Sequence, residues 1–103
     1  QTADRVHDDI VAHRSRKALE DGDFELARSL AQQRCDADPL DESSHTTVIR
    51  ALAALGRDAE ALAVFARIRR SLSAELGADP GPELAALHSH KVRHSYPLDV
   101  YYG

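Results

Sequence analysis

The sequence contains no methionine, no tryptophan, a single cysteine and only five aromatic residues, two phenylalanines and three tyrosines. One cysteine excludes an intramolecular disulfide and fits a reducing compartment. Because no initiator methionine is present, we expect the sequence to be a piece of a longer protein. No apolar run approaches the length of a membrane span, so we expect a cytoplasmic protein with no membrane partner.

Positive charge is also scarce, since 13 lysines and arginines stand against 17 acidic residues and leave a net charge of -4. This balance argues against unaided binding to a nucleic-acid backbone. No glycine-rich phosphate loop and no nucleophile motif occurs, so we expect no enzyme and no cofactor. The arginines Arg67, Arg69 and Arg70 could contact phosphates or an acidic partner, but a solvated helix face is the favoured interpretation.

Metal ligands are few and poorly spaced. Three histidines, His88, His90 and His94, lie near the end of the chain, with no cysteine or acidic residue at a matching spacing. A polar helix end is therefore favoured over a metal site. Cys35 has no histidine at helical contact spacing, which favours a buried structural cysteine over a reactive one.

The residues that are abundant, alanine and leucine, recur with helical spacing, and no segment alternates with the period of a strand. We predict an all-α fold of about five helices and no sheet. The longest helix spans residues 58–76, between Gly56 and Gly77, and we expect its apolar stripe to be buried. That stripe consists of Ala61, Leu62, Phe65, Ile68, Leu72 and Leu76.

Two helical hairpins repeat within the chain. Gly22 and Gly56 lie 34 residues apart, as do Ala27 and Ala61, and Phe65 follows Ala61 after three intervening residues. Each glycine stands between two helices, and each alanine lies where the second helix must approach the first closely. A 34-residue helix–turn–helix period with these markers resembles tetratricopeptide repeats.

A longer set of motifs narrows the resemblance. Pro39-Leu40-Asp41-Glu42 opens a helix, the segment Gly56 to Leu62 joins two helices, and an arginine-rich helix leads to Glu75-Leu-Gly-Ala-Asp-Pro-Gly-Pro-Glu-Leu84. This combination closely resembles the bacterial transcriptional activator domain of the Streptomyces antibiotic regulatory protein type, over roughly residues 23 to 90. Gly77, Pro80 and Pro82 in the last motif have geometric roles: Gly77 permits a left-handed helix end, and the prolines fix the direction of the next helix.

The resemblance implies a protein-interaction domain, since such domains usually follow a winged-helix DNA-binding domain. The implied partners are the regulator's own DNA-binding domain, a second subunit (a homodimer) or RNA polymerase. No winged helix is encoded here, so DNA contact is expected only through a domain outside this chain. A free-standing tetratricopeptide-like scaffold that binds a peptide or protein is the alternative. We expect the domain to span residues 1–94 and to be followed by a tail, residues 95–103.

A candidate partner groove follows from the repeat. Arg16 and Arg50 are also 34 residues apart, on the first helix of each hairpin, and Thr46 lies one turn before Arg50. In tetratricopeptide-like arrays these helices line the concave face. Two arginines in register would favour an acidic or carboxylate-bearing segment. The alternative is that both are solvated or paired with nearby acids such as Glu20.

Overall fold

The computed structural model describes residues 2–87, with side-chain environments from residue 10 onward. Its four long helices are α1 (Thr2–Glu20), α2 (Phe24–Ala37), α3 (Glu42–Ala54) and α4 (Asp58–Leu76). A short fifth helix, α5, spans residues 82–87, and this part of the chain contains no strand. The predicted all-α fold is therefore confirmed. None of the described helices is both long enough and apolar enough to cross a membrane.

The two hairpins, α1–α2 and α3–α4, turn in the same way. Gly22 and Gly56 both adopt a positive φ, 83° and 78°, which a residue with a Cβ rarely does. The residue after each glycine donates its N–H to the carbonyl five positions earlier. These bonds are Asp23 to Ala18 at 2.9 Å and Arg57 to Leu52 at 2.8 Å. The 34-residue period therefore repeats the hydrogen bonds of the turn as well as the residues.

The second helix of each hairpin approaches its neighbours closely at an alanine. Ala27 and Ala61 are both completely buried. Four positions later, Ala31 and Phe65 occupy equivalent places and are buried as well. A single repeat geometry therefore accepts a methyl group in one hairpin and a phenyl ring in the other.

The central helix of the array is α3, which packs against α1, α2 and α4. Because it is covered on several sides, its first two turns bury polar residues as well as apolar ones. Each of these side chains makes a hydrogen bond to the backbone or side chain of a residue three or four positions earlier. The buried polar residues of α3 are Ser44, His45, Thr46 and Thr47.

The hydrophobic core lies between α2, α3, α4 and α5. It consists of Ala31, Cys35, Val48, Ile49, Leu52, Ala61, Val64, Phe65, Ile68, Leu72 and Leu84, with Leu40 and Leu87 packed at its edge. One part of the predicted α4 stripe is wrong, because Leu76 is 62% exposed. With 19 residues against 13, α4 is about 9 Å longer than α3, so its last turn extends past its neighbour.

Candidate functional site

The predicted groove residues differ in how much of each side chain reaches solvent. Arg16 on α1 and Arg50 on α3 are both exposed. The Arg50 guanidinium donates to Glu83 of α5, with Nη2 and Oε2 3.3 Å apart. Both side chains of this pair are about half exposed or more, so the contact is weak and can open. The acid beside Arg50 is thus Glu83, from the far end of the described chain, and not Glu20.

Thr46 contributes little surface to that groove. The residue retains 5% exposure, and its hydroxyl donates to the Glu42 carbonyl at 2.8 Å. This hydrogen bond keeps the Thr46 hydroxyl within α3 and directed away from a partner. Among the three groove candidates, only the two arginines therefore present an exposed charged group.

The α4–α5 turn has the geometry that its sequence indicates. Gly77 adopts the left-handed conformation with φ 60° and ψ 30°. Its N–H donates to the Ser73 carbonyl at 3.0 Å, and the next N–H, of Ala78, donates to Leu72 at 3.2 Å. These bonds satisfy two of the carbonyl groups that a helix end leaves without partners. Pro82 is the first residue of α5, as expected for a proline at a helix start.

The two sequence motifs that flank the core meet in space. Glu42, in the first turn of α3, accepts the backbone N–H of Gly81 through Oε1 at 2.7 Å. A Cβ at residue 81 would come within 3.1 Å of the same oxygen, so the turn lies close against Glu42. Leu84, one turn further on, is 1% exposed in the core. The contact between Glu42 and Gly81 was missed by sequence reasoning, although both residues belong to the motifs that it identified.

Asp41 organises the start of α3. Its carboxylate accepts the Ser44 hydroxyl at 2.8 Å and the Arg34 guanidinium at 3.1 Å. Its carbonyl accepts from Nδ1 of His45 at 2.8 Å. Arg34 belongs to α2, so this residue joins the end of the first hairpin to the beginning of the second. Asp41 is therefore the N-cap of α3, at the helix start that the Pro39–Glu42 motif predicts, and it links the two hairpins as well.

Cys35 lies in the core, as predicted for a structural cysteine. Burial, reinforced by the carboxylates of Asp41 and Asp36, raises the pKa of the thiol to about 12. The thiol therefore stays protonated near neutral pH and is a poor nucleophile.

The other candidates bring no chemistry together in the described part of the chain. No group of three metal-ligating side chains occurs within residues 10–87. Arg67, Arg69 and Arg70 are exposed on α4. The three histidines considered above and the tail at 95–103 lie outside the described residues.

Comparisons with known proteins agree with the motifs. The family model of the bacterial transcriptional activator domain matches residues 3–92. The chain is 51% identical over 57 residues to regulatory protein AfsR of Streptomyces griseus, a match that covers 55% of this chain and 6% of that protein. It is also 51% identical over 51 residues to regulatory protein AfsR of Streptomyces coelicolor, covering 50% of this chain and 5% of that protein. No solved structure matches the chain.

The chain thus spans about one twentieth of the length of these curated relatives. The family match is much broader, because it runs from the first turn of α1 to beyond α5. It includes both hairpins, the two motifs that meet at Glu42 and Gly81, and the core that they enclose. The chain belongs to the bacterial transcriptional activator domain family.

Proposed function

We propose that this chain is a protein-interaction domain of a larger bacterial transcriptional regulator. The observation that carries the proposal is the exposed Arg50–Glu83 ion pair, which joins α3 to α5. The repeat assigns Arg16 of α1 and Arg50 of α3 to equivalent positions, and we call the surface that would carry both the α1–α3 face. Arg50 there holds a carboxylate, supplied by the chain itself, in an exposed position. A partner's carboxylate can replace Glu83 at little cost, since an exposed pair contributes about 0–1 kcal/mol.

The mechanism is contact and not chemistry. The candidate partners are the regulator's own DNA-binding domain, a second copy of the domain, or RNA polymerase. Arg16 lies in the equivalent repeat position on α1 and is exposed. Two guanidinium groups in register suit an acidic segment, because each can form two parallel hydrogen bonds to a carboxylate. DNA would then be read by another domain of the regulator, in the cytoplasm.

A pull-down against the regulator's remaining domains and the polymerase subunits tests this proposal. The Arg16→Ala/Arg50→Ala chain should lose one of the partners that the wild-type chain retains. The matched control is Arg69→Ala/Arg70→Ala, which removes two exposed arginines from α4. If the Arg16/Arg50 double variant folds and keeps every partner at undiminished affinity, the α1–α3 face is not the interaction surface. Retention of only proteins unrelated to transcription would favour a free-standing scaffold.

A further inference from the structure

A second groove crosses the molecule between α2 and α4, with α3 as its floor. Two cavities lie along it, of about 280 and 230 Å³, and Gln32 and Arg67 line both. The floor on α3 consists of His45 in the first cavity and of Val48 and Leu52 in the second. We call this surface the α2–α4 groove.

This groove is separate from the face that carries Arg50. Its floor on α3 includes Val48 and Leu52, which lie two residues before and two residues after Arg50. At about 100° per residue, Arg50 projects roughly 160° around the helix from each of them. The two surfaces therefore lie on opposite sides of α3, and the inference does not depend on the proposed role of Arg16 and Arg50.

The groove is shaped for an extended chain. Its lining on α4 runs from Glu60 to Ser71, which corresponds to about 16 Å of helix at a rise of about 1.5 Å per residue. An extended peptide covers about 3.3 Å per residue, so about five residues would span it. A compact small molecule would fill one cavity only, whereas alternate side chains of an extended segment can enter both.

His45 is one of the residues that line the first cavity. The residue is 5% exposed, and Nδ1 lies 2.8 Å from the Asp41 carbonyl oxygen. Because a carbonyl only accepts, Nδ1 must carry the hydrogen in this bond, and Nε2 is the acceptor of that tautomer. Within the described residues Nε2 has no hydrogen-bond partner. A buried acceptor of this kind requires a donor, such as a peptide N–H or a hydroxyl group.

Arg67 supplies a positive charge to the α2–α4 groove. It is exposed, lines both cavities and has no ion pair within the described residues. The other charged lining residues have partners within the chain. These contacts are Arg28 with Glu25, Glu60 with Arg57, and Asp36 with the amide of Gln32. Asp36 keeps its negative charge, because the Gln32 amide is neutral, so the site for a partner's carboxylate is the Arg67 guanidinium itself and not the groove as a whole.

We propose that the α2–α4 groove binds a short, extended, acidic segment of a protein partner. Its carboxylate pairs with Arg67, and an apolar side chain enters the cavity formed by Val48, Leu52 and Val64. A backbone N–H or a hydroxyl of the segment donates to Nε2 of His45. Both ends of the groove and its central charge are thereby occupied.

Panning a library of displayed seven-residue peptides against the full 103-residue chain tests the proposal. The selected peptides should contain an acidic residue and should bind Arg67→Glu at least about tenfold more weakly. Arg70→Glu, an equal charge change one turn along α4 and outside both cavities, should leave their affinity unchanged. Selected peptides without an acidic residue, or with equal affinity for Arg67→Glu and the wild type, would overturn the proposal.

A second pair of variants tests the second cavity, whose lining includes Val48, Leu52 and Val64. Ala63 is exposed at the rim of the second cavity, so Ala63→Trp should obstruct it without disturbing the core, and should weaken binding at least about fivefold. Ala74→Trp places the same side chain on an exposed position of α4 outside both cavities. Circular dichroism should show unchanged helix content in the two tryptophan variants and in Arg67→Glu and Arg70→Glu. Equal weakening by the two tryptophans would contradict a role for the second cavity.

Other occupants give different results. If the chain's own tail, residues 95–103, fills the groove through its one acidic residue, Asp99, the full-length Asp99→Asn chain should bind the selected peptides more tightly than the wild type. If a second copy fills it, the peptides should dissociate a dimer in sedimentation experiments. Either result would overturn a partner's segment as the occupant. Loss of peptide binding in Arg16→Ala/Arg50→Ala, with Arg67→Glu unaffected, would assign the peptide to the opposite face.

Discussion

The two hairpins share a backbone but differ in how much core they contribute. Hairpin α3–α4 supplies eight of the core residues, from Val48 to Leu72, whereas α1–α2 supplies Ala31 and Cys35. The cluster that joins α1 to the rest consists of three alanines, Ala18, Ala27 and Ala51, with Leu19 and Phe24 packed against it. Repeat geometry therefore requires only close helix approach, and side-chain volume decides which hairpin is the more stable.

Equivalent positions at the ends of α2 and α4 show the same difference between the hairpins in the number of core residues. Ile68 and Leu72 are almost completely buried, while the residues 34 positions earlier are Arg34 and Asp38. Arg34 pairs with the Asp41 carboxylate, and the Asp38 carboxylate accepts the Leu40 N–H at 3.2 Å. In the first hairpin the residues at these positions bond to the segment that begins α3. In the second hairpin the residues at these positions belong to the core.

The largest expected effect is on the core of the second hairpin. Phe65 is 6% exposed, so Phe65→Ala should lower the free energy of unfolding by about 3–5 kcal/mol through lost burial and a cavity. Phe24→Ala, at a half-buried phenylalanine of the first hairpin, should cost clearly less. Urea unfolding measures both, and Phe65→Leu, at roughly 1 kcal/mol, covers the case in which Phe65→Ala does not fold. Equal losses at the two phenylalanines would contradict the unequal cores.

The second prediction concerns Cys35, a residue of the first hairpin in the core of the second. Because its pKa in the folded protein is about 12, above the ordinary 9.0, its contribution to stability is complete below pH 9 and declines as the pH rises toward 12. Between pH 8 and pH 10.5 the decline should amount to about 2 kcal/mol. Urea midpoints at the two pH values measure it, and Cys35→Ala should lack this component. An identical decline in Cys35→Ala would show that the thiol is not responsible.

The third prediction compares helix ends. Gly77→Val should cost about 1–2 kcal/mol, because a β-branched residue is strained in the left-handed conformation. Among the described residues, apart from the two adjoining ones, no atom lies within 4 Å of a Cβ built at this position, so we expect the cost to arise from the backbone. Gly22 has a positive φ and equally open surroundings, and Gly22→Val should cost a similar amount. An unchanged melting temperature in either variant would contradict the left-handed conformation there, and Gly77→Asn should be milder.

The smallest expected effect separates the two equivalent arginines. Arg50→Ala removes the exposed pair with Glu83, so a double-mutant cycle with Glu83→Gln should give a coupling of about 0.2–1 kcal/mol. Arg16→Ala should change stability by less than about 0.5 kcal/mol, as a surface substitution does. Differential scanning calorimetry at low and high salt measures both, and salt should reduce the coupling. A larger effect at Arg16 would reverse the comparison.

Local features of the sequence determined the helices and their ends. The apolar period, the caps at Asp23 and Asp41, and the glycines at 22, 56 and 77 act over a few residues, so they can be interpreted without a fold. The 34-residue period likewise predicted the hairpins, and the sequence motifs indicated the family to which the chain belongs.

Contacts between distant residues were decided only by the tertiary structure. The Glu42–Gly81 bond and the Arg50–Glu83 pair each join residues more than 30 positions apart, and no local pattern specifies such a partner. Neighbouring helices also decide burial: Thr46 and His45 are buried although they are polar, and Ile10 is 51% exposed although it is apolar. The α2–α4 groove depends on three helices at once. Its residues become neighbours only when α2 and α4 pack on the same side of α3.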